Sequence, residues 1–163
     1  MTDITRGDPE QSVVNGETFT YSGSQVITPG ASFSIGIDTG VSPVMIERRA
    51  YSCDGTGLTV GFFEGTAQTG GTVVAGVNRN RTSRALSQPE PLTLRTGVTP
   101  GTLNAAVMSL ALGIKVALAA IFGDGAEDVL ILADSSRYVL QFTNTGTAST
   151  TLNWSWRARR VAR

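Results

Sequence analysis

From Phe19 onward the chain repeats one pattern. Short runs rich in Val, Ile, Thr, Phe and Tyr are cut by clusters of Gly, Pro, Asn, Asp and Ser at intervals that suit strands and turns. In "SFSIGID", Phe33, Ile35 and Ile37 fall on one face and Ser32, Ser34, Gly36 and Asp38 on the other, because successive strand side chains point to opposite sides. "TLNWSWRA" alternates in the same way, with Leu152, Trp154 and Trp156 opposite Asn153, Ser155 and Arg157. That alternation predicts tryptophans in a core and not on a sugar-stacking platform. "VMIERRAYSC" and "LTVGFFE", joined by "DGTG", read as an antiparallel hairpin with a short Asp-Gly turn. "PLTLRTG", "DVLILA" and "RYVLQFTN" supply further strands. The total is about eight, which predicts an all-β fold, an antiparallel β-sandwich of jelly-roll type.

Two segments depart from the pattern. Residues 1–18 are polar and acidic, with too little apolar surface to offset the entropy of ordering, and read as an extended N-terminal arm. Residues 19–163 then form one domain that closes in a short basic C-terminal tail. Leu103 to Phe122 is rich in Ala and Leu, which favour helix, but Gly113 interrupts it. Strands that continue through "GDGAED" as consecutive hairpins are the expectation, and one helix lying across a sheet is the alternative. Lys115 near the centre of the run argues against a membrane span.

Composition narrows the chemistry. The 163 residues carry a formal net charge of zero, which gives no whole-chain attraction for a polyanion. The single cysteine, Cys53, cannot form an internal disulfide, and no signal-peptide pattern opens the chain, so folding in a cytoplasm is expected. With no histidine, the commonest general base and metal ligand is missing. The sole lysine lies outside any phosphate-loop spacing. "CDGTG" and "GDG" each offer one carboxylate beside glycines, too few oxygens for calcium. Glu47 and Glu64, on neighbouring strands of the proposed hairpin, are the one pair that could support carboxylate catalysis. The alternation of Glu47, Arg48 and Arg49 with apolar residues fits a solvated strand face better. The expectation is therefore a chain that is not an enzyme, with no catalytic, cofactor-binding or metal residues.

Partner contacts are the remaining question. Twelve of the thirteen basic residues are arginine, the side chain suited to planar hydrogen bonding with carboxylates at an interface. Arg79, Arg81 and Arg84 crowd "VNRNRTSR", and no aromatic residue lies between Phe63 and Phe122, so the stacking half of a nucleic-acid site is missing. The run is either a protein interface or a polar loop between strands. Asp3, Asp8 and Glu10 crowd the start of the chain and Arg157, Arg159 and Arg160 its end, which gives termini of opposite sign. These nine are the candidate partner contacts.

The order of features resembles a known family. "PGASFSIGIDTGVSPV", "GFFEGTAQTGGTVVAGVNRNRTS" and "DVLILADSSRYVLQFTNTGTASTTLNWSW" are similar to stretches of the small head decoration, or cement, proteins of tailed bacteriophages. The match runs from about Pro29 to Trp156 and is carried by "FFE" at Phe62 to Glu64, "GGT" at Gly70 to Thr72, "NRNR" at Asn78 to Arg81, and the "LIL" and "YVLQFTN" strands. The resemblance implies a jelly-roll knob, expected as a homotrimer with a dimer as the alternative, fastened to the outer surface of an assembled capsid and bracing its major capsid protein. It implies neither a nucleic-acid nor a membrane partner. The chain departs from the family in the basic finish "WRARRVAR" and in the Ala- and Leu-rich run. A receptor- or carbohydrate-binding sandwich of a tail fibre or spike is the alternative.

Overall fold

The computed structural model describes residues 17–55, 57–80, 89–112, 117–118 and 130–161. Among them run twelve strands: β1 (Thr18–Ile27), β2 (Ser32–Thr39), β3 (Val44–Cys53), β4 (Leu58–Glu64), β5 (Gln68–Val74), β6 (Val77–Asn78), β7 (Leu92–Pro100), β8 (Ala106–Leu112), β9 (Ala117–Leu118), β10 (Leu130–Leu132), β11 (Arg137–Asn144) and β12 (Thr150–Arg160). They form two antiparallel sheets. The first has the order β10-β3-β12-β1-β6, with β9 also on β3, and the second has the order β5-β7-β2-β11-β4-β8. No helix occurs among the described residues, so the all-β expectation holds and the architecture is that of a β-sandwich.

The core is built by the alternation seen in the sequence. Phe19, Tyr21, Tyr51, Leu152, Trp154 and Trp156 come from the first sheet, and Ile35, Ile37, Leu58, Phe62, Leu140 and Phe142 from the second. Both tryptophans are buried. The indole N–H of Trp156 donates to the Tyr51 hydroxyl at 2.9 Å, which satisfies a donor that burial would otherwise leave costly. Tyr51 in turn meets Phe142 edge-on across the sheets, with ring centroids 5.4 Å apart.

The expected hairpin is not one. β3 pairs with β12 and β4 pairs with β11, so "DGTG" crosses between sheets instead of turning within one. The corner is held by the connection from β11 to β12. The Asp54 carboxylate accepts from the Thr151 backbone N–H at 2.6 Å, and the Gly57 carbonyl accepts from the Thr145 N–H at 2.7 Å. Each strand thereby buries its apolar side against the opposite sheet, which a two-stranded ribbon could not offer.

The charged run of β3 also differs from expectation. The register shifts beside Arg157, so that Arg48 pairs with Arg157 but Ile46 with Ala158, leaving Glu47 as the extra residue of a bulge. The bulge reverses which side chains face inward, and Arg49 is buried, not solvated.

Other boundaries move. Thr18 belongs to β1 and is buried, so the fold begins one residue earlier than the arm boundary placed it; residues 1–16 lie outside the described residues. The expected basic tail is strand, since β12 continues to Arg160. Within the 103–122 run, residues 106–112 and 117–118 are strand, but β8 pairs with β4 and β9 with β3 in the other sheet, so these two are not a hairpin. "GDGAED" lies outside the described residues.

A small second cluster covers the outer face of the second sheet. Gly70, Gly71 and Gly97 all have positive φ, which twists the β5-β7 ribbon over that face. Gln68 and Val98 then occupy the space a side chain at Gly36 would need, and Ser34 and Val139 are buried with them. The twist also blunts an edge strand that would otherwise invite pairing.

Candidate functional site

Antiparallel pairing gathers strand ends at two poles, and the charged candidates concentrate at one of them. The register sets Thr18 against Arg159, Arg160 and Leu132 against Val44, Arg137 against Asp38, and Leu92 against Thr39. The segments that carry the other candidates adjoin this pole. Asp3, Asp8 and Glu10 precede Glu17, and Arg81 and Arg84 lie between Asn80 and Pro89; all five are outside the described residues. Arg79 is exposed, and its backbone N–H donates to the Thr18 carbonyl at 3.0 Å.

A laced set of loops forms the platform of this pole. The Ser135 N–H donates to the Gly40 carbonyl at 2.8 Å. The Thr39 hydroxyl donates to the Ala133 carbonyl at 2.6 Å and accepts from the Ser136 N–H at 2.9 Å. The Tyr138 hydroxyl accepts from the Ala133 N–H at 2.9 Å and donates to the Glu64 carboxylate at 3.1 Å; burial, then the Glu64 charge, hold its pKa above the ordinary tyrosine value. Loops tied in this way lose little further entropy when a partner docks.

Two adjoining depressions, of about 470 and 200 Å³, share Asp38, Thr39, Gly40, Val41 and Thr93. Arg95 and Arg137 both pair with Asp38, the second at 3.3 Å, and Arg137 remains 60% exposed. On the far wall the Arg160 guanidinium donates to the Glu90 carbonyl at 3.1 Å. Val41 lines both depressions and is 83% exposed. An exposed apolar side chain in depressions that arginines also line is suited to a protein surface that bears carboxylates.

The chain matches no family model, no curated protein and no solved structure. Its site is therefore read from its own geometry.

The sequence candidates fare unequally. Arg79 and Arg160 present themselves at the pole. Arg157 is half-buried on the outward face of the first sheet, directly beside Arg48. Arg159 is buried, and its guanidinium lies 2.6 Å from the Glu47 carboxylate at the bulge, so it ties β12 to β3 and leaves little for a partner to grasp. Glu47 and Glu64 sit in different sheets, and each is already engaged, with Arg159 and with Tyr138. Sequence reasoning missed Asp38, Val41, Arg95 and Arg137. They meet only through pairing of β2 with β7 and β11, strands far apart in the chain. Among the described residues no group of three or more His, Cys, Asp or Glu could hold a metal ion, and no helix is long and apolar enough to cross a membrane.

Proposed function

We propose that the chain is a structural virion protein, a decoration or cement protein that binds the outer surface of an assembled bacteriophage head and braces its major capsid protein. The body is read as a jelly roll. The order β10-β3-β12-β1 facing β2-β11-β4-β8 supports this: consecutive strands β1 to β4 alternate between sheets, and β11 and β12 return between them, as two interleaved Greek keys require. β5, β6 and β7 are then an insertion between the fourth and fifth jelly-roll strands.

One observation carries the functional reading. The acidic residues before Glu17, the arginines between Asn80 and Pro89, and the end of β12 all join the body at the pole that holds Val41, Arg137 and Arg160. In this proposal the pole is the attachment end, with residues 1–16 as an acidic arm beside it and Arg79, Arg81 and Arg84 gripping capsid carboxylates. Burial of Trp154 and Trp156 disfavours the carbohydrate-binding alternative, which needs exposed rings for stacking.

Cosedimentation of the purified chain with undecorated shells of its own virus, beside intact host cells, tests the proposal. Saturable binding to shells at a fixed ratio to capsid protein is expected. Binding to cells and not to shells would overturn it in favour of a receptor module.

A further inference from the structure

The outward face of the first sheet has chemistry unlike the pole's. Across β1, β12 and β3 the register lines up Thr20, Arg157 and Arg48, then Ser22, Ser155 and Ala50, then Ser24, Asn153 and Ser52. Beyond them Val26 pairs with Thr151, and Asp54 follows the end of β3. The middle of the face therefore has no side chain larger than asparagine, which lets a second flat surface approach closely. Val26 and Val77, at opposite corners of the β1 side, are 56% and 55% exposed.

The charges of this face are arranged in a self-complementary way. Arg48 is exposed at one end of β3 and forms no ion pair in the described structure. Asp54, also exposed, stands on the same outward side at the other end, about 20 Å away at about 3.4 Å per residue. One of its carboxylate oxygens accepts from the Thr151 N–H and the Thr150 hydroxyl. A two-fold axis lying in the plane of the face and crossing the strands, between the Ser22 and Ser24 rows, would set Arg48 of each copy over Asp54 of the other. The same operation brings Val26 of one copy to Thr20 and Val77 of the other, and lays the serine rows on each other. An axis along the strands would instead stack Arg157 on Arg157, so the charges choose between the two arrangements.

We propose that this face docks a second copy of the chain in a two-fold, sheet-on-sheet dimer held by reciprocal Arg48–Asp54 pairs and by the Val26 and Val77 contacts. The three strands long enough to contribute, β1, β12 and β3, at about 4.8 Å spacing and about eight residues each, give a footprint of about 400 Å² per copy, or about 800 Å² in all, the size of a weak and reversible contact whose partner is chosen by charge. The dimer leaves the arginine pole uncovered, and its assembly does not depend on the capsid reading. It departs from the homotrimer expected from the resemblance.

Sedimentation equilibrium of the full chain over a rising concentration series is the test, with a mass that climbs towards twice 17.1 kDa and no further expected. Arg48→Glu should weaken the dimer on the order of tenfold or more, and Arg48→Glu combined with Asp54→Arg should recover most of that loss. Ser155→Arg, at the centre of the face, should leave monomers whose circular dichroism matches the parent. A parent that is monomeric or trimeric overturns the proposal. So does a dimer that Ser155→Arg leaves intact, or a folded double variant no tighter than Arg48→Glu alone.

Discussion

Asn144 is buried, and its side chain is fully used. The amide donates to the Ile27 carbonyl at 2.8 Å and the Ala148 carbonyl at 2.9 Å, while its oxygen accepts from the Gly146 N–H at 2.9 Å. It thus joins the end of β1 to the turn before β12 at the pole opposite the arginines. Asn144→Ala would leave two carbonyls and an N–H without partners, and a loss of about 2–4 kcal/mol is expected in denaturant unfolding. Two tyrosines govern the alkaline limit. Burial, reinforced for Tyr21 by Glu90, raises the pKa of Tyr21 and Tyr51 well above the ordinary value. Both stay protonated in the folded chain where the unfolded chain ionises, at about pH 10. Their contribution to stability is therefore complete below about pH 10 and lost progressively as pH rises above it. Burial also holds the Cys53 thiol above its ordinary value, which adds a smaller loss from about pH 9. Unfolding midpoints measured between neutral pH and pH 11 should therefore stay level to about pH 8.5 and fall most steeply in the last unit of that range, and a steep fall below pH 8 would contradict this assignment.

At the level of elements, the sandwich depends on corners more than on turns. Gly57 has φ +83°, and a Cβ there would lie 2.7 Å from the backbone nitrogen of Gly146, which cannot swing aside as a side chain could. Gly57→Ala combines an unfavourable backbone conformation with this clash, and a loss of about 2–4 kcal/mol is expected by thermal or denaturant unfolding. Unchanged stability would mean that the β3-β4 crossover is not fixed as described. These corners mark where the sequence stops being informative. Period-two alternation placed Phe33, Ile35, Ile37, Leu152, Trp154 and Trp156 on the core side of their strands, because that pattern is local. It could not tell whether "DGTG" turns back within a sheet or crosses between sheets, since Asp and Gly serve both. The crossover follows from bonds to Thr145 and Thr151, some ninety residues on. The bulge at Glu47 escaped for a similar reason. It is defined by slippage against Arg157 and Ala158, and the alternating charges alone pointed the wrong way for Arg49.

For the whole molecule, the proposed site was legible in part. Arginine enrichment directed attention to interfaces, and Arg79 and Arg160 do lie at the pole. The cluster of Asp38, Arg95 and Arg137 needed three strands in register before it existed, and Arg159 proved to be a buried structural tie. Changing exposed Arg79, Arg137 and Arg160 together to alanine should leave the circular dichroism spectrum unchanged. The same change should weaken attachment to shells by at least about tenfold, with reduced sensitivity to added salt.

The most direct measurement is hydrogen–deuterium exchange of the protein free and bound to undecorated shells. Protection of backbone amides is expected at the arginine pole, in residues 40–42, 79–80 and 133–137. Protection confined to the opposite pole, at residues 54–57 and 145–149, or no difference on bound shells, would contradict it.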